Sequence, residues 1–208
     1  MSYSFNINPN NFLKINTIGY YNCDYTRFNM PNNPNFLNML KNTYGNTDIN
    51  ELIKARDIVC NILQIDITDI INNSGISNWV IVCVPRARAF KNYQANQLMF
   101  REAVNNAVNK INGAINGLDY IIRTKDTYTT HLGNATKKGH FPWNTGPEPY
   151  PGITRDTCSI DEDKIKDQNI ILIDDIYTNT VNIDEDCIQA LYDKGAKNVL
   201  LYVIGYTV

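Results

Sequence analysis

Two uninterrupted apolar runs constrain this chain more than anything else in it: Trp79-Val80-Ile81-Val82-Cys83-Val84, stopped by Pro85, and Ile170-Ile171-Leu172-Ile173, stopped by Asp174-Asp175. A strand with one wet face alternates apolar and polar side chains. A run that is apolar at every position suits a strand covered on both faces, as strands of parallel sheets are.

Segments of helical period lie around these runs. From Asp48, placed to cap free N–H groups, Ile49, Leu52, Ile53, Val59, Cys60 and Leu63 recur at helical spacing. Phe100, Ala103, Val104, Ala107, Val108 and Ile111 form a second stripe, closed by Gly113. A third helix is expected from about residue 182, with Ile183, Cys187, Ile188 and Leu191 on one face and Gly195 as its terminator. Leu118 to Ile122 and Asn198 to Ile204 read as further strands. Strands alternating with helices predict an α/β fold: a mainly parallel twisted sheet with helices on both faces.

Two stretches stand outside that pattern. Residues 1–47 are rich in Asn and Tyr, are broken by Pro31 and Pro34, and hold one strand candidate, Phe12 to Ile18. They read as an N-terminal appendage to a single domain spanning 48–208, a size that one core accommodates. Residues 123–168 show little periodicity and carry Pro142, Pro147, Pro149 and Pro151. Such a loop exceeds the roughly 12–15 residues beyond which a structureless connection implies function or disorder.

A formal net charge of -2 gives no global attraction to nucleic acid, which is therefore not an expected partner. No apolar run approaches the roughly 18 residues of a membrane span. Met1 to Asn6 lacks the basic stretch and apolar core of a secretory signal. A cytoplasmic protein with no membrane partner is expected. The five cysteines, Cys23, Cys60, Cys83, Cys158 and Cys187, are scattered, and only two histidines accompany them, which argues against a zinc site or a disulfide framework. Cys60, Cys83 and Cys187 fall in apolar segments and read as small buried hydrophobes.

In open α/β sheets ligands bind at the carboxyl ends of strands, and a loop feeding a helix N-terminus offers N–H groups and a positive dipole to a phosphate. Thr178 to Asn182 occupies that place, directly after Asp174 and Asp175. Two carboxylates would repel a bare phosphate, so they suit ribose hydroxyls or a magnesium shell. The plain alternative is an acid pair that caps the following loop. Phosphoacceptor receiver domains and dehalogenase-like phosphatases also place acids at strand ends, although the latter need an Asp-x-Asp spacing that Asp174-Asp175-Ile176 lacks.

The whole segment resembles the phosphoribosyl pyrophosphate (PRPP) site of type I phosphoribosyltransferases. That motif has an apolar strand, two acids, two variable positions and a Thr-Thr-Gly-x-Thr-like loop before a helix; here these are Ile170 to Ile173, Asp174-Asp175, Ile176-Tyr177 and Thr178-Asn179-Thr180-Val181-Asn182. The resemblance implies that Asp174 and Asp175 hold the ribose 2′- and 3′-hydroxyls, and that Tyr177, Thr178, Asn179, Thr180, Val181 and Asn182 form the 5′-phosphate cradle. Thr180 stands where the family has Gly, so a positive φ there would be strained. Asn179 and Asn182 replace hydroxyl residues.

From about residue 79 the chain also resembles the ComF-type, competence-associated branch of that family. The carriers are Val84-Pro85, the basic Arg86 to Arg88, Lys91-Asn92-Tyr93-Gln94 and the helix from Ala95. This implies a pyrophosphate loop of Pro85, Arg86, Ala87 and Arg88 running to Ala89, with Arg86, Arg88 or Lys91 neutralising the leaving group. Arg123 to His131 looks like the family's mobile hood, which accounts for the long loop and gives Arg123, Thr127 and His131 as hood residues. Lys125 or His131 would contact pyrophosphate or protonate the leaving group; hydrated loop residues are the plain alternative, and Lys137, Lys138 and His140 are weaker candidates. That branch's N-terminal zinc-binding cysteines are absent, so residues 1–47 are expected to supply a different hood or an oligomer contact, such as that of a homodimer.

Together the resemblances imply magnesium-dependent transfer of phosphoribosyl from PRPP to an unidentified nitrogenous acceptor, with release of pyrophosphate. Asp174, Asp175 and Lys125 are the implied catalytic residues, with Asp174 and Asp175 meeting Mg2+ through water. The alternative from another class is a protein that senses PRPP or a nucleotide, or regulates a partner, without turnover.

Overall fold

The two apolar runs lie side by side. In the computed structural model, which describes residues 2–26, 30–31, 33–132, 139 and 144–208, β3 (Trp79–Cys83) pairs in parallel with β7 (Asn169–Tyr177), Ile81 opposite Ile171 and Cys83 opposite Ile173. Every residue of β3 is buried, as are Ile170 to Ile173. β4 (Ala114–Asn116) adds in parallel to β3, and β8 (Asn198–Thr207) to the far side of β7. β2 (Thr17–Tyr25) runs parallel to β8, and β1 (Tyr3–Ile7) closes that edge antiparallel to β2. The result is an α/β protein with a mostly parallel six-stranded sheet in the order β1-β2-β8-β7-β3-β4.

Successive side chains of a strand point to opposite faces, and both faces are covered here. Trp79, Ile81, Cys83, Ile171, Ile173 and Tyr202 pack with α1 (Asn35–Lys41), α2 (Ile49–Ser74) and α3 (Met99–Val108). The other face packs Val80, Val82, Ile170 and Leu172 against residues of two later helices. Among the described residues three α-helices follow α3: α4 (Ile153–Thr157), α5 (Glu162–Ile165) and α6 (Ile183–Asp193); Ile165 of α5 and Cys187, Ile188 and Leu191 of α6 join that second layer. Cys60, Cys83 and Cys187 are buried, as the apolar segments around them predict.

α2 starts where its cap is. Asp48 accepts hydrogen bonds from the N–H groups of Asn50 and Glu51, and the helix ends at Gly75, whose φ of 66° a side chain would resist. Leu52, Val59, Leu63 and Ile67 form its inward stripe, all at 0% exposure. Among them sits a buried acid, Asp66, whose Oδ2 accepts from Asn22 Nδ2 at 3.0 Å and from the Tyr202 hydroxyl at 2.8 Å. That network ties α2 to β2 and β8.

Three expectations change. The strand expected at Phe12 to Ile18 begins only at Thr17; before it, the N–H groups of Phe12 and Leu13 both donate to Asn10 Oδ1, a local turn that competes with pairing. Residues 1–47 place β1 and β2 in the main sheet and α1 in its core rather than beside it. Leu118 to Tyr120 is a 3-10 turn, and β5 (Ile121–Arg123) leaves the main sheet to pair antiparallel with β6 (Cys158–Ile160) in a separate ribbon. The long stretch after Arg123 thus contains α4, β6 and α5, while Lys137, Lys138 and His140 lie outside the described residues. Among the described residues no helix is long and apolar enough to cross a membrane.

Candidate functional site

β7 continues past its apolar run and carries Asp174 and Asp175 to its carboxyl end. The N–H of Val84 donates to the carbonyl of Ile173 at 2.9 Å, so the loop that Pro85 opens leaves the sheet beside Asp174. Between these strand ends is a cleft of about 560 Å³ whose lining includes Asp174, Asp175 and the Pro85 to Arg88 loop. The sequence expectation therefore brings its acid pair and its basic loop into one cavity.

The acids are held close to backbone donors. The N–H of Asp175 donates to Asp174 Oδ1, and that of Ile176 to Asp175 Oδ1, each at 2.8 Å. A third acid, Asp184 in the first turn of α6, also lines the cleft, near enough to Asp174 for each to bear on the other's ionisation. Burial, and then the neighbouring Asp175 charge, pushes Asp174 up to about 7. Burial and the Asp174 charge likewise raise Asp184 well above the ordinary carboxyl range. Two neighbouring like charges disfavour joint ionisation. Asp184 Oδ1 is buried and has no hydrogen-bond partner among the described residues.

The rest of that helix turn is acidic too. Glu185 Oε1 accepts from the Tyr177 hydroxyl at 2.7 Å, and burial raises both groups. Asp186 accepts from the N–H groups of Gly152 and Thr154. All three side chains are buried and lie at the positive end of the α6 dipole, which favours negative charge. The sequence signal was present, three acids in a row after the loop, but the loop motif ended one turn too early to include them.

The expected phosphate cradle is only partly in the cavity. Thr178 and Val181 line it, whereas Tyr177, Asn179, Thr180 and Asn182 do not. The Thr178 hydroxyl pairs with that of Thr207 at 2.8 Å, and the Val181 N–H donates to the Thr178 carbonyl at 3.0 Å. The strain expected at Thr180 does not arise: the left-handed residue is Asn182, φ 59°, a residue type that tolerates it, and its Oδ1 accepts from Asn10 Nδ2 at 3.0 Å.

The basic loop is bolted down by its own arginines. Arg86 donates to the carbonyls of Gln97 and Lys41, the latter at 2.7 Å, with its guanidinium 4.6 Å from the Tyr93 ring centroid. Arg123, 4% exposed, donates to the carbonyls of Arg86 at 2.8 Å and Pro85 at 3.4 Å and to the Thr157 hydroxyl. Thr127 donates twice to the Ala87 carbonyl, from its N–H at 2.7 Å and from its hydroxyl at 3.0 Å. Arg88 faces Asp126 at 4.0 Å and Tyr93. Arg123 and Thr127, expected in a hood, thus hold the carbonyls of Pro85, Arg86 and Ala87. Lys91 and Lys125 are exposed and do not line the cleft, and the His131 side chain lies outside the described residues.

Two cations of the cleft lining, Lys41 and Arg101, were missed. Lys41, the last residue of α1, lines the cleft with Nζ 4.0 Å from Asp175 Oδ2. Nothing in the Asn-rich sequence around it signals a site, because its position depends on how α1 packs.

Fold and site together define an α/β protein with a mixed acid and cation cleft at the carboxyl ends of its central strands. Compared with protein-family models, with curated proteins and with solved structures, the chain matches none of them.

Proposed function

We propose that this cleft binds a PRPP-type ligand, and that the chain is a type I phosphoribosyltransferase-like protein that transfers phosphoribosyl to a nitrogenous acceptor. The observation that carries the reading is the union in one cavity of the Asp174-Asp175 pair at the end of β7 with the Pro85 to Arg88 loop at the end of β3. In the proposed reaction the acceptor nitrogen forms the bond to the sugar C1 while the bond from C1 to the pyrophosphate oxygen breaks and its electron pair leaves with pyrophosphate. Asp175 and Asp174 hold the ribose hydroxyls, Thr178 and Val181 face the 5′-phosphate end, and the loop held by Arg123 and Thr127 faces the leaving group. The protein acts by positioning and by charge neutralisation.

Magnesium fits this donor set. No cluster of three or more metal-binding side chains occurs among the described residues, and Mg2+ ordinarily keeps its waters and uses one or two carboxylates with substrate phosphates. Asp174 and Asp175 would hold it, and it would supply neutralisation of the pyrophosphate charge.

Thermal unfolding with PRPP and Mg2+ tests the ligand class. At 100 times its dissociation constant a ligand adds about 2.7 kcal/mol to stability. Replacing both acids, Asp174→Asn with Asp175→Asn, is expected to remove the shift; a wild-type protein that shows no shift contradicts the ligand assignment. A second reading, binding without turnover, is favoured by one observation: Arg86 and Arg123 spend their donors on the protein's own carbonyls. Pyrophosphate release with a panel of nucleobases separates the two, since the non-catalytic reading requires binding with no release.

A further inference from the structure

Among the described residues five cations line the cleft: Lys41, Arg86, Arg88, Arg101 and Arg123. The arginines are engaged. Arg86 and Arg123 hold carbonyls as described, Arg101 donates to the Leu118 carbonyl and the Asp119 carboxylate, and Arg88 faces Asp126 and Tyr93. Lys41 differs. Its ammonium makes no hydrogen bond to any described residue; among those residues it meets the Asp175 carboxylate at 4.0 Å and the Tyr25 ring at 5.9 Å.

Its backbone, by contrast, is fixed. The Lys41 carbonyl accepts from Arg86 at 2.7 Å. The next residue, Asn42, caps α1 in the left-handed region at φ 34° and donates from Nδ2 to the Asn96 carbonyl at 2.9 Å. Gln97 Nε2 donates to the carbonyls of Asn42 and Thr43 at 3.2 and 3.0 Å. A lysine on an anchored backbone, with three donors and a long flexible stem over a cavity, is built to meet a charge that arrives with the ligand.

We infer that Lys41 is the residue that binds the ligand's pyrophosphate, exchanging its long contact with Asp175 for charge-assisted hydrogen bonds to phosphate oxygens. The inference rests on the PRPP-type reading of the cleft and deepens it: the leaving-group charge is met from residues 1–47, by a lysine whose carbonyl is held by Arg86 of the basic loop that the sequence pointed to. The ligand class so defined is a sugar pyrophosphate, distinguished from a sugar monophosphate by the second anionic group.

Titration calorimetry with Mg2+ tests this, using PRPP, inorganic pyrophosphate and ribose 5-phosphate as probes against the full-length wild type, Lys41→Ala and Lys41→Arg. A charge-assisted hydrogen bond corresponds to about a tenfold change in affinity or more. Lys41→Ala is expected to weaken PRPP and pyrophosphate by at least about that factor and to leave ribose 5-phosphate within about twofold, with Lys41→Arg recovering most of the loss. Lys41→Ala binding PRPP as wild type does overturns the Lys41 assignment alone. An equal loss for ribose 5-phosphate overturns the pyrophosphate assignment and moves Lys41 to the 5′-phosphate. A wild type that binds none of the three overturns the reading of the cleft and this inference with it.

Discussion

Two buried aspartates, Asp66 in α2 and Asp184 in α6, are 1% and 5% exposed, and they are buried in opposite ways. Asp66 is met by an amide and a phenol, both neutral donors aimed at Oδ2. Asp184 is met by another acid and keeps an oxygen with no partner among the described residues, on the wall of a cavity. Burying a carboxylate is tolerable when donors surround it, and costly when its neighbour is a like charge. Asp66 therefore holds the architecture together, while Asp184 is a local expense borne at the candidate site.

Unfolding experiments sharpen that contrast. Asp66→Ala leaves Asn22 and Tyr202 with unmet donors in the core, and a loss of about 2–4 kcal/mol is expected in urea titration. A loss below about 0.5 kcal/mol would remove the architectural role. Tyr177→Phe takes away the hydroxyl that Glu185 Oε1 accepts, and about 1–2 kcal/mol is expected to be lost. An unchanged midpoint would show that Glu185 is already neutral or solvated.

Asp184→Asn has the opposite sign. A carboxyl whose folded-state value is raised favours the fold in its protonated form. Its stability is present in full below the ordinary value of 3.8 and is lost as pH rises through the raised folded-state value. The amide cannot ionise, so Asp184→Asn is expected to stabilise the protein by about 1 kcal/mol near pH 8 and to change little near pH 4. A gain larger in acid than in alkali would refute the raised Asp184.

Much of the fold was legible because hydrophobic burial writes itself into local pattern. Trp79 to Cys83 and Ile170 to Ile173 announce a doubly covered parallel pair, and Asp48 announces the start of α2. The failures are of a different kind. Ile121 to Arg123 has strand chemistry, yet strand chemistry does not name its neighbour, and β5 pairs with β6 instead of joining the main sheet. Tyr and Asn in residues 1–47 gave no clean alternation, and pairing with β8 is what makes β2 a strand. At the site, Asp174, Asp175, Arg86 and Arg88 line one cavity, because short connections carry them from adjacent strand ends. Lys41 and Asp184 were not foreseen, although they line the same cavity.

The sequence by itself determined the class of fold and the strand ends between which the cleft opens, since those follow from side-chain periodicity and from loops fixed to their strands. Tertiary structure alone decided what each charge is doing. Arg86 and Arg123 became bolts for the loop, Lys41 became a cation over the cleft, and Asp174 acquired an acid partner. Such roles depend on distances of a few ångströms between residues far apart in the chain, and on whether water or protein surrounds them, which no local pattern encodes.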